Sequence, residues 1–257
     1  GGRLTLTSGV PVTTSDVTGA TTIYYTPYVH DTIVLWDGAR WRPVTFAETS
    51  LALGTMTANA NYDVFAYLSG GALALEKLIW TSDTARATAV TIQDGRYCKS
   101  GDKTRLLLGT IRSTSTTGTE DSKAKRLVSN LYNKVQKVGF VMDGTDHAYS
   151  SSTPRRWNNN AANQIEFVTT LGCSAQATVY SSANVNALSG IFEVDTFSGT
   201  PIVNAGIFLT GAGGATSAAT YGFVAAPGRH FVAVSEYSVT ALAVDFFDMT
   251  LTLGIEQ

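Results

Sequence analysis

The sequence predicts an all-β protein. Short segments alternate between apolar and polar residues, tight-turn residues separate them, and Thr, Ser, Ala and Gly dominate while only 15% of residues are charged. Period-two alternation marks half-buried strands. The 257 residues suggest one or two domains, and a hydrophobic content of 44% suffices to bury a core.

Arg3 to Thr7 and Thr21 to Tyr25 alternate and read as strands. Thr32 to Trp36, Asp37-Gly38 and Ala39 to Arg42 read as a β-hairpin, because Asp-Gly accepts the positive φ of a tight turn. Val90 to Gln93, Asp94-Gly95 and Arg96 to Lys99 repeat that pattern. Both hairpins place an aromatic and a cation just after the turn. Tyr62 to Leu68 and Leu73 to Trp80, joined through Ser69-Gly70-Gly71-Ala72, give a third hairpin, and Arg105 to Ile111 a more buried strand.

Residues 119–137 predict a helix. Thr119 can cap it, Glu120 and Asp121 suit its first turn, and Ala124, Leu127, Val128, Leu131, Tyr132 and Val135 recur at three- and four-residue spacing. Lys134 and Lys137 favour its far end, whereas the Asn, Tyr and Val content leaves open an extended arm packed on a neighbour.

A polar stretch from Asp143 to Asn163 marks the expected boundary between domains 1–142 and 143–257. Beyond it, strands are expected at Gln164 to Leu171, Ala175 to Tyr180, Gly190 to Thr196, Pro201 to Leu209, Tyr221 to Val224, His230 to Tyr237 and Ala241 to Ile255. With turns such as Gly211 to Gly214, this pattern predicts a jelly-roll-like β-sandwich following a barrel- or sandwich-like first part.

Proton-transfer and metal chemistry is sparse. Asp143, Asp146 and His147 share a loop, where acids usually serve turn geometry, and no further ligand is near in sequence. His30, His147 and His230 are scattered. No Ser-His-Asp set or nucleophile elbow appears, and the 211–214 glycines lack the Lys and Ser/Thr of a phosphate loop. A non-enzymatic chain without cofactor or metal is expected. The net charge of -2 implies neither nucleic acid nor an acidic membrane as partner. No apolar run approaches the about 18 residues of a membrane-spanning helix. The opening Gly1-Gly2-Arg3 has no signal-peptide character, and its lack of Met leaves open whether residues precede it. Cys98 and Cys173 are expected reduced.

Tyr24, Tyr25, Tyr28, Trp36, Trp41, Trp80 and Trp157 are many aromatics for so weakly charged a chain. Strand aromatics usually pack cores. The loop Arg155-Arg156-Trp157-Asn158 instead joins a ring that can stack on a sugar's C–H face with donors for its hydroxyls, so these four are the expected glycan- or partner-binding residues.

Several stretches resemble a recurrent family of tailed-bacteriophage virion proteins, the tail-fibre and head-fibre proteins. They include Gly2 to Val12, Thr21 to Tyr28, Ile33 to Gly38, Tyr62 to Tyr67, Thr84 to Ala89, Lys99 to Gly101, Leu108 to Arg112, Glu120 to Ser122 and Asn130 to Val135. The likeness is densest over residues 2–137. It is patchier at Trp157, Asn160 to Gln164, Gly228 to Phe231 and Glu236 to Ser238. The resemblance implies a virion component, a trimer or other homo-oligomer bound to further virion proteins, which joins a fibre to the particle or meets the host surface. It carries over no catalytic residues. Low-charge β-chains also leave edges and apolar faces that identical neighbours complete. The expected function is host-surface glycan attachment. The rivals are a purely architectural decoration or connector protein and a polysaccharide depolymerase.

Overall fold

In a computed structural model the chain is all-β. The structure describes residues 1–184, 187–195, 207–208, 215–238 and 242–257. The expected strand Pro201 to Leu209, apart from 207–208, and the turn Gly211 to Gly214 lie outside them.

The first part holds β1 (Gly2–Thr5), β2 (Val17–Ala20), β3 (Thr22–Pro27), β4 (Thr32–Trp36), β5 (Trp41–Thr45) and β6 (Thr49–Ala52). It continues with β7 (Asn61–Ser69), β8 (Ala72–Ile79), β9 (Val90–Gln93), β10 (Arg96–Lys99), β11 (Asp102–Arg112), β12 (Thr119–Asp121), β13 (Lys125–Arg126) and β14 (Val128–Asn130). Then follow β15 (Gln136–Asp143), β16 (His147–Tyr149), β17 (Arg155–Arg156), a 3₁₀ turn at Trp157–Asn159, β18 (Gln164–Thr169) and β19 (Cys173–Ala183). The chain ends through β20 (Ala187–Val194), β21 (Ile207–Phe208), β22 (Ala215–Ala225), β23 (Gly228–Ser238) and β24 (Val244–Glu256).

Turn chemistry sets the expected hairpins. Asp94-Gly95 joins β9 to β10 with φ of 51° and 76°, and Gly70-Gly71 joins β7 to β8 with 60° and 87°. Two consecutive positive φ values match the strands' own twist. Between β4 and β5 the loop has four residues, and Asp37 Oδ1 accepts from the Ala39 and Arg40 amides, both at 2.9 Å.

Residues 119–137 form no helix. They make β12, β13, β14 and the start of β15. Ser122 and Lys125 close a turn, the Asn130 side chain bonds the backbone of Leu4 on both sides, and Asn133 takes φ 53°. Buried partners override a marginal helical period. Leu127 and Val128 are buried all the same, as strand residues.

β18, β23 and β20 run through one sheet, and β15-β24-β19-β22 form another. They face each other as a β-sandwich over Trp157, Ile165, Phe167, Val179, Val232, Val234, Phe246 and Leu251. Alternate residues of β19 and β24 point into this core. A second core gathers Leu4, Ile23, Leu35, Val64, Leu106 and Ile111 from the first part. The sheets cross the expected boundary at 142/143. β13 runs parallel to β18, and β15 pairs with β24 along its whole length. Buried ion pairs line this seam: Asp121 holds Arg126 and Lys137, each at 3.1 Å, and Arg112 meets Glu166 at 3.3 Å. Cys98 and Cys173 are free thiols, and burial pushes Cys98 up to about 11.

Candidate functional site

The Arg155–Asn158 segment is not an exposed binding loop. Trp157 is 0% exposed, and its ring meets the rings of His147 and Phe246 edge-on at 5.5 and 5.4 Å. No sugar can stack on it. Arg155 Nε donates to Glu236 Oε1 at 2.8 Å, and its guanidinium lies 3.8 Å from the Tyr149 ring centre. Arg156 bonds Gln164 and lies over Phe231. The Asn158 amide donates to Glu236 Oε2 at 3.1 Å, and His147 Nε2 bonds the same oxygen at 2.6 Å.

Glu236 organises this segment. It is fully buried on β23, and a buried carboxylate needs donors to replace water. Asp143 is second to it, accepting from Asn163 at 2.6 Å and Asn158 at 3.3 Å. Burial alone would raise Asp143, but these amides and the Thr145 backbone hold it below the usual carboxylate range. The cluster fastens β16 and β17 to β23 and β24 and is structural. Among the described residues no three His, Cys, Asp or Glu side chains come together to hold a metal ion.

Two other surfaces have the character of binding sites. The first lies where the two Asp-Gly hairpins meet. Trp41 Nε1 donates to Asp94 Oδ2 at 3.0 Å, and Lys103 Nζ reaches the same oxygen at 2.7 Å. Both bonds hold the Asp94 carboxyl below its ordinary value. Trp36 packs edge-on against Trp41 at 5.6 Å. The Arg96 guanidinium lies 4.8 Å from the Trp41 ring centre. Beside this aromatic pair opens a groove of about 300 Å³, lined by Tyr25, Val34, Leu106 and Tyr132 together with the polar Gly1 amine, His30, Arg96 and Asn133. Alternation along β4 turns Ile33 and Leu35 into the core and leaves Val34 and Trp36 outward. The sequence signal for this site was the repeated aromatic and cation after each turn. Tyr132 and Asn133 were hidden in the expected helix.

The second surface is the outward face of sheet β15-β24-β19-β22. Its rows read Phe140–Thr252–Thr178–Thr220, Met142–Thr250–Tyr180–Ala218 and Val138–Gly254–Gln176–Gly222. None of these twelve residues is charged. Met142 is 66% exposed and nearby Val224 82%. Thr178 and Thr220 hydroxyls bond each other at 3.0 Å, and Thr252 donates to the Thr178 carbonyl at 3.2 Å, so the hydroxyls at the centre are already partnered. Among the described residues β22 has one strand neighbour, β19, and its eleven residues include no charge and no Pro.

No family model matches the chain, and no curated protein does. Solved structures give only distant likenesses. The mosquito-larvicidal Cry4Aa toxin of Bacillus thuringiensis is 10% identical, with a TM-score of 0.26 over 91% of this chain and 49% of that one. A Cry1Da tryptic core variant from the same organism scores 0.24 at 10% identity over 91% and 48%. The chain thus spans about half the length of these toxins. The infectious bursal disease virus Gx strain structure is 8% identical, with a TM-score of 0.23 over 100% and 77% of the two chains.

Proposed function

We propose that this chain is a non-enzymatic structural and attachment component of a virion, of the tail-fibre, spike or head-fibre kind. It assembles with copies of itself, as a trimer, and presents a surface that binds host glycan. The observation that carries this reading is the uncharged centre of the outward face of the β15-β24-β19-β22 sheet, with Asp248 and Glu256 only at its ends, and β22 as an edge strand among the described residues. Proteins that stay apart protect long strand edges with charge, Pro or bulges. This strand uses neither charge nor Pro.

Four strands at about 4.8 Å and five residues at about 3.4 Å give these rows roughly 330 Å² in projection. That is under half of the ~800 Å² a partner contributes to a standard interface, and pairing along β22 supplies further contact. Copies held together also turn weak sugar binding into avid attachment. The scarcity of clustered titrating groups and the structural role of the Glu236 cluster favour recognition over bond cleavage. Incubation with bacterial surface polysaccharide tests this. The protein should be retained on the polysaccharide without releasing reducing ends, and sustained release would replace the attachment reading with a depolymerase.

A further inference from the structure

We propose that the groove between the two Asp-Gly hairpins binds an acidic glycan, a saccharide carrying carboxylates, with Arg96 as its anchoring cation. This deepens the attachment reading and rests on it.

The hairpins and the adjoining strand carry Arg40, Arg42, Arg96, Lys99, Lys103 and Arg105 against Asp37, Asp94 and Asp102, with Lys99 beside Asp102 at 4.0 Å and Arg105 paired to Glu76 of β8 at 2.8 Å. Arg42 sits 3.7 Å from Asp37, and Lys103 sits 2.7 Å from Asp94. Among the described residues neither Arg40 nor Arg96 enters a salt bridge. This corner therefore keeps two positive charges on a chain whose net charge is -2. No carboxylate lines the groove.

Arg96 is also held ready. Its guanidinium stacks on Trp41, which fixes the side chain without neutralising it. Asp94 anchors Trp41 and Lys103 behind it. An immobilised arginine forfeits less entropy on binding and can engage a carboxylate through two parallel N–H bonds. Apolar residues line the groove beside Arg96. Val34 and the 37% exposed Tyr132 offer a surface for the C–H face of a sugar ring, and Asn133, whose Nδ2 donates to the Gly2 carbonyl at 3.1 Å, presents its Oδ1 as an acceptor for a hydroxyl. A fixed cation and an aromatic ring lining one groove suit a uronate-bearing chain better than a neutral sugar or a bare anion.

Calorimetric titration of the full chain tests the assignment with a tetramer of galacturonate, its fully methyl-esterified counterpart, a dT8 oligonucleotide and a hexaglutamate peptide. The galacturonate tetramer should bind, weaken with added salt, and lose about tenfold or more on esterification, the scale of a charge-assisted bidentate contact. Arg96→Ala and Tyr132→Ala should each weaken it by a similar factor, with Arg40→Ala a milder change and an unchanged melting curve as the folding control. Equal binding of acid and ester would overturn the acidic assignment and leave glycan attachment standing. Equal binding of dT8 or hexaglutamate would reduce the site to bare charge and overturn it too. No binding by a chain that still self-assembles would remove the groove as a site without touching the assembly.

Discussion

Glu236 shows how one side chain decides the fate of a segment. Its two oxygens accept from Arg155, His147 and the Asn158 amide, and none of its surface meets water. Glu236→Ala leaves Arg155 facing a buried gap, so urea unfolding should show a loss of about 3–5 kcal/mol. Trp157→Ala should cost a similar 3–5 kcal/mol by opening a cavity. Trp157→Phe should cost far less, because the indole N–H has no acceptor to lose. Glycan retention by the folded Trp157→Phe protein should be unchanged. His230 adds a pH term. Burial alone would lower it, but its ring bonds Asp195 and the Ala226 carbonyl, each at 2.7 Å, and these raise it above 6.5. A group raised in the folded state contributes stability that is full below the unfolded value and fades as pH climbs through the folded one. Melting temperature should therefore fall as pH rises above about 6.5, and His230→Gln should flatten that slope.

At the scale of elements, local signals were legible and distant ones were not. Asp94-Gly95 and Gly70-Gly71 announce their hairpins because the turn geometry resides in the two residues themselves. Residues 119–137 mislead because their helical period is local, while what fixes them is remote: Leu4 for Asn130, and Thr13 for Lys137. The Arg155–Asn158 segment looked like an open loop because its organiser, Glu236, stands about eighty residues along the chain. The groove was half visible, since each hairpin displayed its aromatic and cation but nothing local said that the two turns meet. β11 carries the sharpest element-level test. A Cβ on Gly109 would stand 2.1 Å from the Ser129 carbonyl oxygen of β14 and 2.9 Å from Leu4 Cδ1. Gly109→Ala should force β14 away from β11 and lower stability by about 1–3 kcal/mol or more, read by denaturant unfolding.

Across the whole molecule, the two cores are joined by sheets and buried ion pairs, and the centre of the outward face of β15-β24-β19-β22 is left uncharged between Asp248 and Glu256 at its ends. A lysine at its centre would put a solvated charge where a second copy is to pack, without disturbing the core side of β24, because Thr252 points outward between buried Leu251 and Leu253. The most direct measurement is the solution mass by sedimentation equilibrium at micromolar concentration, for the chain and for Thr252→Lys side by side. Self-completion of the sheet predicts three times the mass of one chain for the first and one chain's mass for the second. A first sample already at the mass of a single chain would contradict it.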